Sequence, residues 1–165
     1  MSEKTTDKNK LDTKVYSFEE LLNEKGCFVY TAVGISMLPF LRRRRDVIEI
    51  QKKGPERLKK YDVVLYKRRD RYILHRILKV LPDGYLIAGD NCTAVERDIK
   101  DENILGVMTR VKRNGKILTL DNPLYKMYVH LWCDCYPVRM FLLKVKHSIG
   151  RVYYGIKRLI KCENK

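Results

Sequence analysis

Three polar side chains stand where apolar runs meet turns, and their types are those of a nucleophile, a base and a base-orienting acid. Ser36 lies in GISMLPFL (34–41), just past an apolar run and ahead of Pro39. A serine past a strand end exposes its oxygen, and its own N–H can face a developing oxyanion. Serines beside turns more often cap or satisfy backbone groups. His75 lies in YILHRI (72–77). Imidazole takes and returns a proton near neutrality, and a serine hydroxyl is a poor nucleophile without such a partner. The competing account is a satisfied buried histidine. Asp90 follows a glycine in YLIAGDNC (85–92), where a carboxylate can hold an imidazole tautomer. Gly-Asp-Asn is equally good turn chemistry. His130, Cys133 and Cys135 sit close in sequence, but tetrahedral zinc wants four ligands and only three gather here. Packing thiols are the expectation, with no metal and no cofactor.

Positioning these groups requires a folded domain, and the chain can supply one. Its 165 residues are 45% hydrophobic and 10% aromatic, enough for a single core and inconsistent with a disordered chain. The net charge of +15 favours polyanionic surroundings, either nucleic acid or an anionic membrane face. Residues 1–14 are polar and read as a frayed tail without a signal peptide. No run of about 18 uncharged apolar residues predicts a transmembrane helix. Five scattered cysteines read as reduced thiols, so the expected compartment is cytoplasmic, with peripheral placement on the inner face of the membrane as a variant.

Ser17-Phe18-Glu19-Glu20 is a capping box and Gly26 a C-terminal stop, predicting a short helix over 18–25. Short β-type runs follow at 27–33, 46–50, 62–66, 71–80, 85–89, 104–111 and 116–120. Turn signals separate them, the strongest being Asn114-Gly115. The fold class expected is mostly β (α+β): a compact antiparallel domain over 15–122, then a basic helical segment over 123–165.

The motifs in order are a Gly-x-Ser-Met-x-Pro element (Gly34, Ser36, Met37, Pro39), an Asp-Val-Val strand (Asp62, Val63, Val64), His75-Arg76, and Gly89-Asp90-Asn91, with Gly106 a further fit. Over about residues 27–112 this closely resembles the signal peptidase and LexA-like serine endopeptidase superfamily. A histidine in the base position is similar to the endoplasmic-reticulum-type and sporulation-type signal peptidases. The resemblance implies Ser36 as nucleophile, His75 as base and Asp90 as the supporting acid, with Gly34, Met37 and Pro39 beside the substrate. It also implies a peptide or precursor protein as substrate, such as a leader or signal peptide, with small side chains before the cleaved bond. Those relatives have another aspartate about six residues after the glycine-aspartate-asparagine motif. Glu96 stands there, with Asp98 two further on, so Asp90, Glu96 and Asp98 are all open as the partner of His75. Many relatives also carry a hydroxyl where this chain has Gly34.

Past Pro137, apolar residues recur at steps of three and four: Val138, Phe141, Val145, Ile149, Val152, Ile156 and Leu159. Lys and Arg, including Arg139, Lys144, Lys146 and Arg151, occupy other positions. Such a helix either packs its apolar face on the β domain, leaving the basic residues in water, or lies on an anionic membrane through residues 138–161. A function from a different class is a non-catalytic basic module. Residues 42–45, 52–60 and 67–69 are rich in Lys and Arg and suit phosphate contacts. Nucleic acid is the weaker expectation, because the 26 or so residues before the first strand are too few for a helix-turn-helix domain and no ribonucleoprotein-type aromatic signature occurs.

Overall fold

A computed structural model describes residues 16–163, without the side chains of Tyr136, His147 and residues 154–163. The expected tail at 1–14 lies outside the described residues, as do the side chains of Ile156 and Leu159. The described chain is α+β and mostly β. It runs α1 (Phe18–Lys25), β1 (Cys27–Thr31), β2 (Asp46–Lys52), β3 (Val63–Arg68), β4 (Arg71–Leu81), β5 (Gly84–Ala88), β6 (Glu96–Ile99), β7 (Ile104–Arg113), β8 (Lys116–Leu118), α2 (Pro123–Asp134) and α3 (Tyr136–Glu163). The eight strands form one sheet in the order β1-β2-β7-β3-β4-β5-β6, with β8 added on β7. Every pairing is antiparallel.

Local chemistry explains the ends of these elements. Ser17 Oγ accepts from the Glu20 N–H while the Glu20 carboxylate accepts from the Ser17 N–H, closing both sides of the capping box. Gly26 ends α1 at φ 72°, a left-handed conformation that glycine adopts without a Cβ penalty. β6 carries no apolar alternation (Glu-Arg-Asp-Ile) and so escapes a pattern-based reading; it is held by its pairing to β5.

The sheet separates two clusters of buried side chains. Leu22, Phe28, Met37, Phe40, Leu41, Ile48, Ile50, Val63, Leu65, Met108 and Val111 form the larger. Val64, Tyr66, Ile77, Tyr85, Ile87 and Ile104 form the other. Alternation along β3 sends Val63 and Leu65 to the first and Val64 and Tyr66 to the second. Gly106 lets β7 approach β2 closely, since a Cβ there would stand 2.7 Å from the Gln51 carbonyl oxygen and 2.7 Å from Ile50 Cγ2.

The C-terminal helices are tied to the sheet through α2. Val129 and Cys133 pack with Leu78 and Ala88, so Cys133 is a buried packing thiol while Cys135 is exposed. Of the two placements open for α3, packing of the apolar stripe on the β domain is not what is seen: Val138, Phe141, Val145, Ile149 and Val152 are exposed. Arg139, one of the basic residues that such packing would leave in water, is 1% exposed. The helix is turned so that Arg139 and Lys146, which bond the turn at 89–92, face inward rather than its apolar stripe.

Candidate active site

β4 delivers His75 into the sheet interior at 8% exposure, paired in register with Val64 of β3. Two residues beyond Val64, Tyr66 brings its hydroxyl to 3.1 Å from His75 Nδ1. That hydroxyl donates to Glu96 Oε1 at 2.7 Å, and Glu96 Oε1 itself lies 3.4 Å from His75 Nδ1. Arg68 holds the other carboxylate oxygen at 3.0 Å. A phenol has one proton, and here it goes to the carboxylate. The Tyr66 oxygen therefore accepts from His75, which puts the imidazole proton on Nδ1 and leaves Nε2 with its lone pair. Burial pushes the His75 pKa below the ordinary imidazole value of 6.5, the charge of Glu96 opposes that and Arg68 adds to it. The ring is thus neutral at neutral pH, the state a general base needs.

Nε2 points toward the Ser36 segment. A Cβ on Gly89 would stand 2.9 Å from His75 Nε2, 2.7 Å from the Ser36 carbonyl oxygen and 2.8 Å from Cys92 Sγ. Only a residue without a side chain fits where these three groups converge. The turn that contains Gly89 also clamps the serine loop, because the Asn91 N–H donates to the Ser36 carbonyl at 2.7 Å and Asn91 Nδ2 to the Ile35 carbonyl at 3.1 Å. Among the described residues no acceptor takes the Ser36 N–H, which leaves it available to a developing oxyanion. Ser36 Oγ lies 3.9 Å from where a Gly34 Cβ would be and makes no hydrogen bond to His75 among the described contacts.

No known protein family and no curated protein matches this chain.

The geometry separates the three acids left open as the partner of His75. Asp90 is fully buried and faces Arg76, not His75: Arg76 Nε and Nη2 donate to its two oxygens at 2.9 and 2.8 Å. Tyr128 donates to Asp90 at 3.1 Å, and Arg76 also reaches the Tyr61 carbonyl at 3.0 Å and the Tyr125 hydroxyl at 2.8 Å. His75 and Arg76 are neighbours on a strand, so they point to opposite faces, and Asp90 lies on the Arg76 side. Asp98 is exposed, and its φ of 61° accompanies a register shift between β5 and β6 that turns it away from the line set by Glu96. Of the three candidate acids, Glu96 is the one whose contacts include His75.

A cavity of ≈ 490 Å³ adjoins these groups, lined by Gly34, Ser36, Met37, His75 and Cys92. Its far wall is aromatic. Phe18 stacks on Phe28 at 4.8 Å and meets Tyr30 and Tyr72 at 5.1 and 4.9 Å, and Arg68 and Arg71 also line the space. Pro39 is exposed and does not line it. The volume is wider than small side chains require and suits a bulky apolar group.

Sequence reasoning left Tyr66, Cys92 and Arg139 without roles. Arg139, from α3, donates through Nη2 to the Gly89 carbonyl and, at 3.2 Å, to the Cys92 carbonyl. Lys146 donates to Asn91 Oδ1 at 2.8 Å, and Trp132 of α2 to the Asp90 carbonyl at 2.8 Å. The two C-terminal helices thus brace the turn at 89–92 from behind. Of the basic stretches, Lys67 is engaged by Glu19 and Arg68 by Glu96, whereas residues 42–45 are exposed.

The convergence at Gly89 gives a direct test. Gly89→Ala is expected to lower stability by about 1–3 kcal/mol, because backbone and imidazole must move to admit the methyl group. Gly54→Ala, which meets open space, should leave the melting temperature within about 1 °C of the parent. Thermal unfolding of the two variants side by side checks the contrast.

Proposed function

We propose that this chain is a serine endopeptidase of the signal peptidase and LexA-like type, acting on extended peptides. The observation that carries the reading is the set of contacts around His75: Tyr66, which donates to Glu96, meets Nδ1, and Nε2 borders the Ser36 loop, an arrangement that favours a proton on Nδ1 and a lone pair on Nε2. The resemblance in motif order supports it as well. Asp90 departs from the role the resemblance implies, and Glu96 takes that role.

In the proposed reaction the substrate backbone pairs along β1, which ends the strand order and leaves one edge unpaired among the described elements. An apolar side chain enters the cavity beside Ser36. Nε2 takes the Ser36 proton as Oγ attacks the scissile carbonyl, and the Ser36 N–H receives the oxyanion. The imidazolium, stabilised by Glu96 through Tyr66, then protonates the leaving amine. Water, activated by the same Nε2, releases the acyl group and restores the serine.

The test is labelling by a fluorophosphonate, in which Ser36 Oγ displaces fluoride from phosphorus, followed across pH. Labelling at Ser36 with an acid limb below pH 6.5 is the expected result, because burial depresses the His75 pKa. Glu96→Gln removes the charge that raises this pKa, so its acid limb moves to lower pH while the plateau falls about tenfold or more. No labelling of Ser36, or a rate flat from pH 5 to 8, would count decisively against a histidine-assisted serine.

A further inference from the structure

α3 presents two faces with different surroundings. One touches the turn at 89–92 through Arg139 and Lys146, and on it Arg139 and Leu143 are almost completely buried. The other carries Val138, Phe141, Leu142, Val145, Ile149 and Val152, each between 39 and 66% exposed. Their steps of three and four residues align them in one stripe. α2 adds a short apolar row of its own, Leu124, Met127 and Leu131, at 63–70% exposure. Contiguous apolar surface of this extent is rare on a monomer and marks something that covers it.

Charge decides what that is. Between Asp134 and Glu163 the sequence contains no acidic residue and seven Lys or Arg. Lys144 and Arg151 are exposed beyond the edge of the stripe. Two copies of the helix meeting face to face would bring like charges together, on chains that each carry +15. An anionic lipid surface satisfies both features, taking the stripe into its acyl boundary and the cations among its headgroups. No helix among the described residues is long and apolar enough to cross a membrane. We infer that α3 is an interfacial helix that lies in the plane of an anionic bilayer, with Phe141, Val145 and Ile149 inserted. This inference does not depend on the peptidase reading.

Truncation is a poor test, since Arg139 and Lys146 also brace the turn at 89–92. The full chain is instead compared with Phe141→Ser/Val145→Ser/Ile149→Ser, which keeps the charge. Both are sedimented with vesicles of phosphatidylcholine and phosphatidylglycerol in equal amounts, and with phosphatidylcholine alone. The parent is expected to bind the anionic vesicles, and the triple variant to bind at least about 30-fold more weakly. Lys144→Gln/Arg151→Gln, two exposed changes that leave the fold intact, should weaken binding about tenfold or more. Absence of parent binding would overturn the inference. So would equal binding by parent and triple variant, which is the mark of bulk charge alone. A lipid-free parent dimer that the triple variant dissociates would assign the stripe to a second copy and overturn it too.

Discussion

His75→Ala is expected to lower peptide cleavage by about 10³-fold or more while leaving the melting temperature within a few degrees of the parent. The imidazole Nε2 borders the serine loop, and in the proposed mechanism removing it leaves Ser36 without a base. Tyr66 and Glu96 keep their own hydrogen bond at 2.7 Å, so the carboxylate is not stranded in the interior. Ser36→Ala should abolish fluorophosphonate labelling outright. Together the two variants separate catalysis from binding: a basic module that merely retains ligands would be indifferent to both. Equal cleavage by parent and His75→Ala would remove the base from the mechanism.

The second large effect falls on stability. Asp90 and Arg76 form a fully buried ion pair with two parallel hydrogen bonds. Removing one partner leaves an uncompensated charge in the interior, which costs about 3–5 kcal/mol. Asp90→Ala should therefore lower the melting temperature by about 10 °C or more. The variant that remains folded in the cold should still be labelled at Ser36, because Asp90 does not touch His75. An acid that oriented the base would behave in the opposite way, sparing stability and losing activity. Measuring melting temperature and labelling on the same sample distinguishes the two roles.

The turn at 89–92 links these results. Its glycine admits the approach of Ser36 and His75, its aspartate anchors it to Arg76, and its asparagine holds the serine loop. Arg139 and Lys146 reach the same turn from α3. The helix that offers an apolar stripe outward is thus also part of the scaffold behind the site.

Much of this protein is legible in local chemistry. The capping box at Ser17 and Glu20, the stop at Gly26, the hairpin at Asn114-Gly115 and the apolar runs of β1 to β5, β7 and β8 are short-range features. They depend on hydrogen bonds and alternation within a few residues, and the order of the Ser36, His75 and Asp90 motifs is read the same way. Which carboxylate serves His75 is a different kind of question. It turns on which strand face each side chain occupies and on the register of β5 with the weakly patterned β6, both set by pairing across the sheet. The orientation of α3 is likewise tertiary. Periodicity establishes that a helix has an apolar side, but Arg139 and Lys146, by finding carbonyl and amide partners on a distant turn, decide that this side faces away from the core.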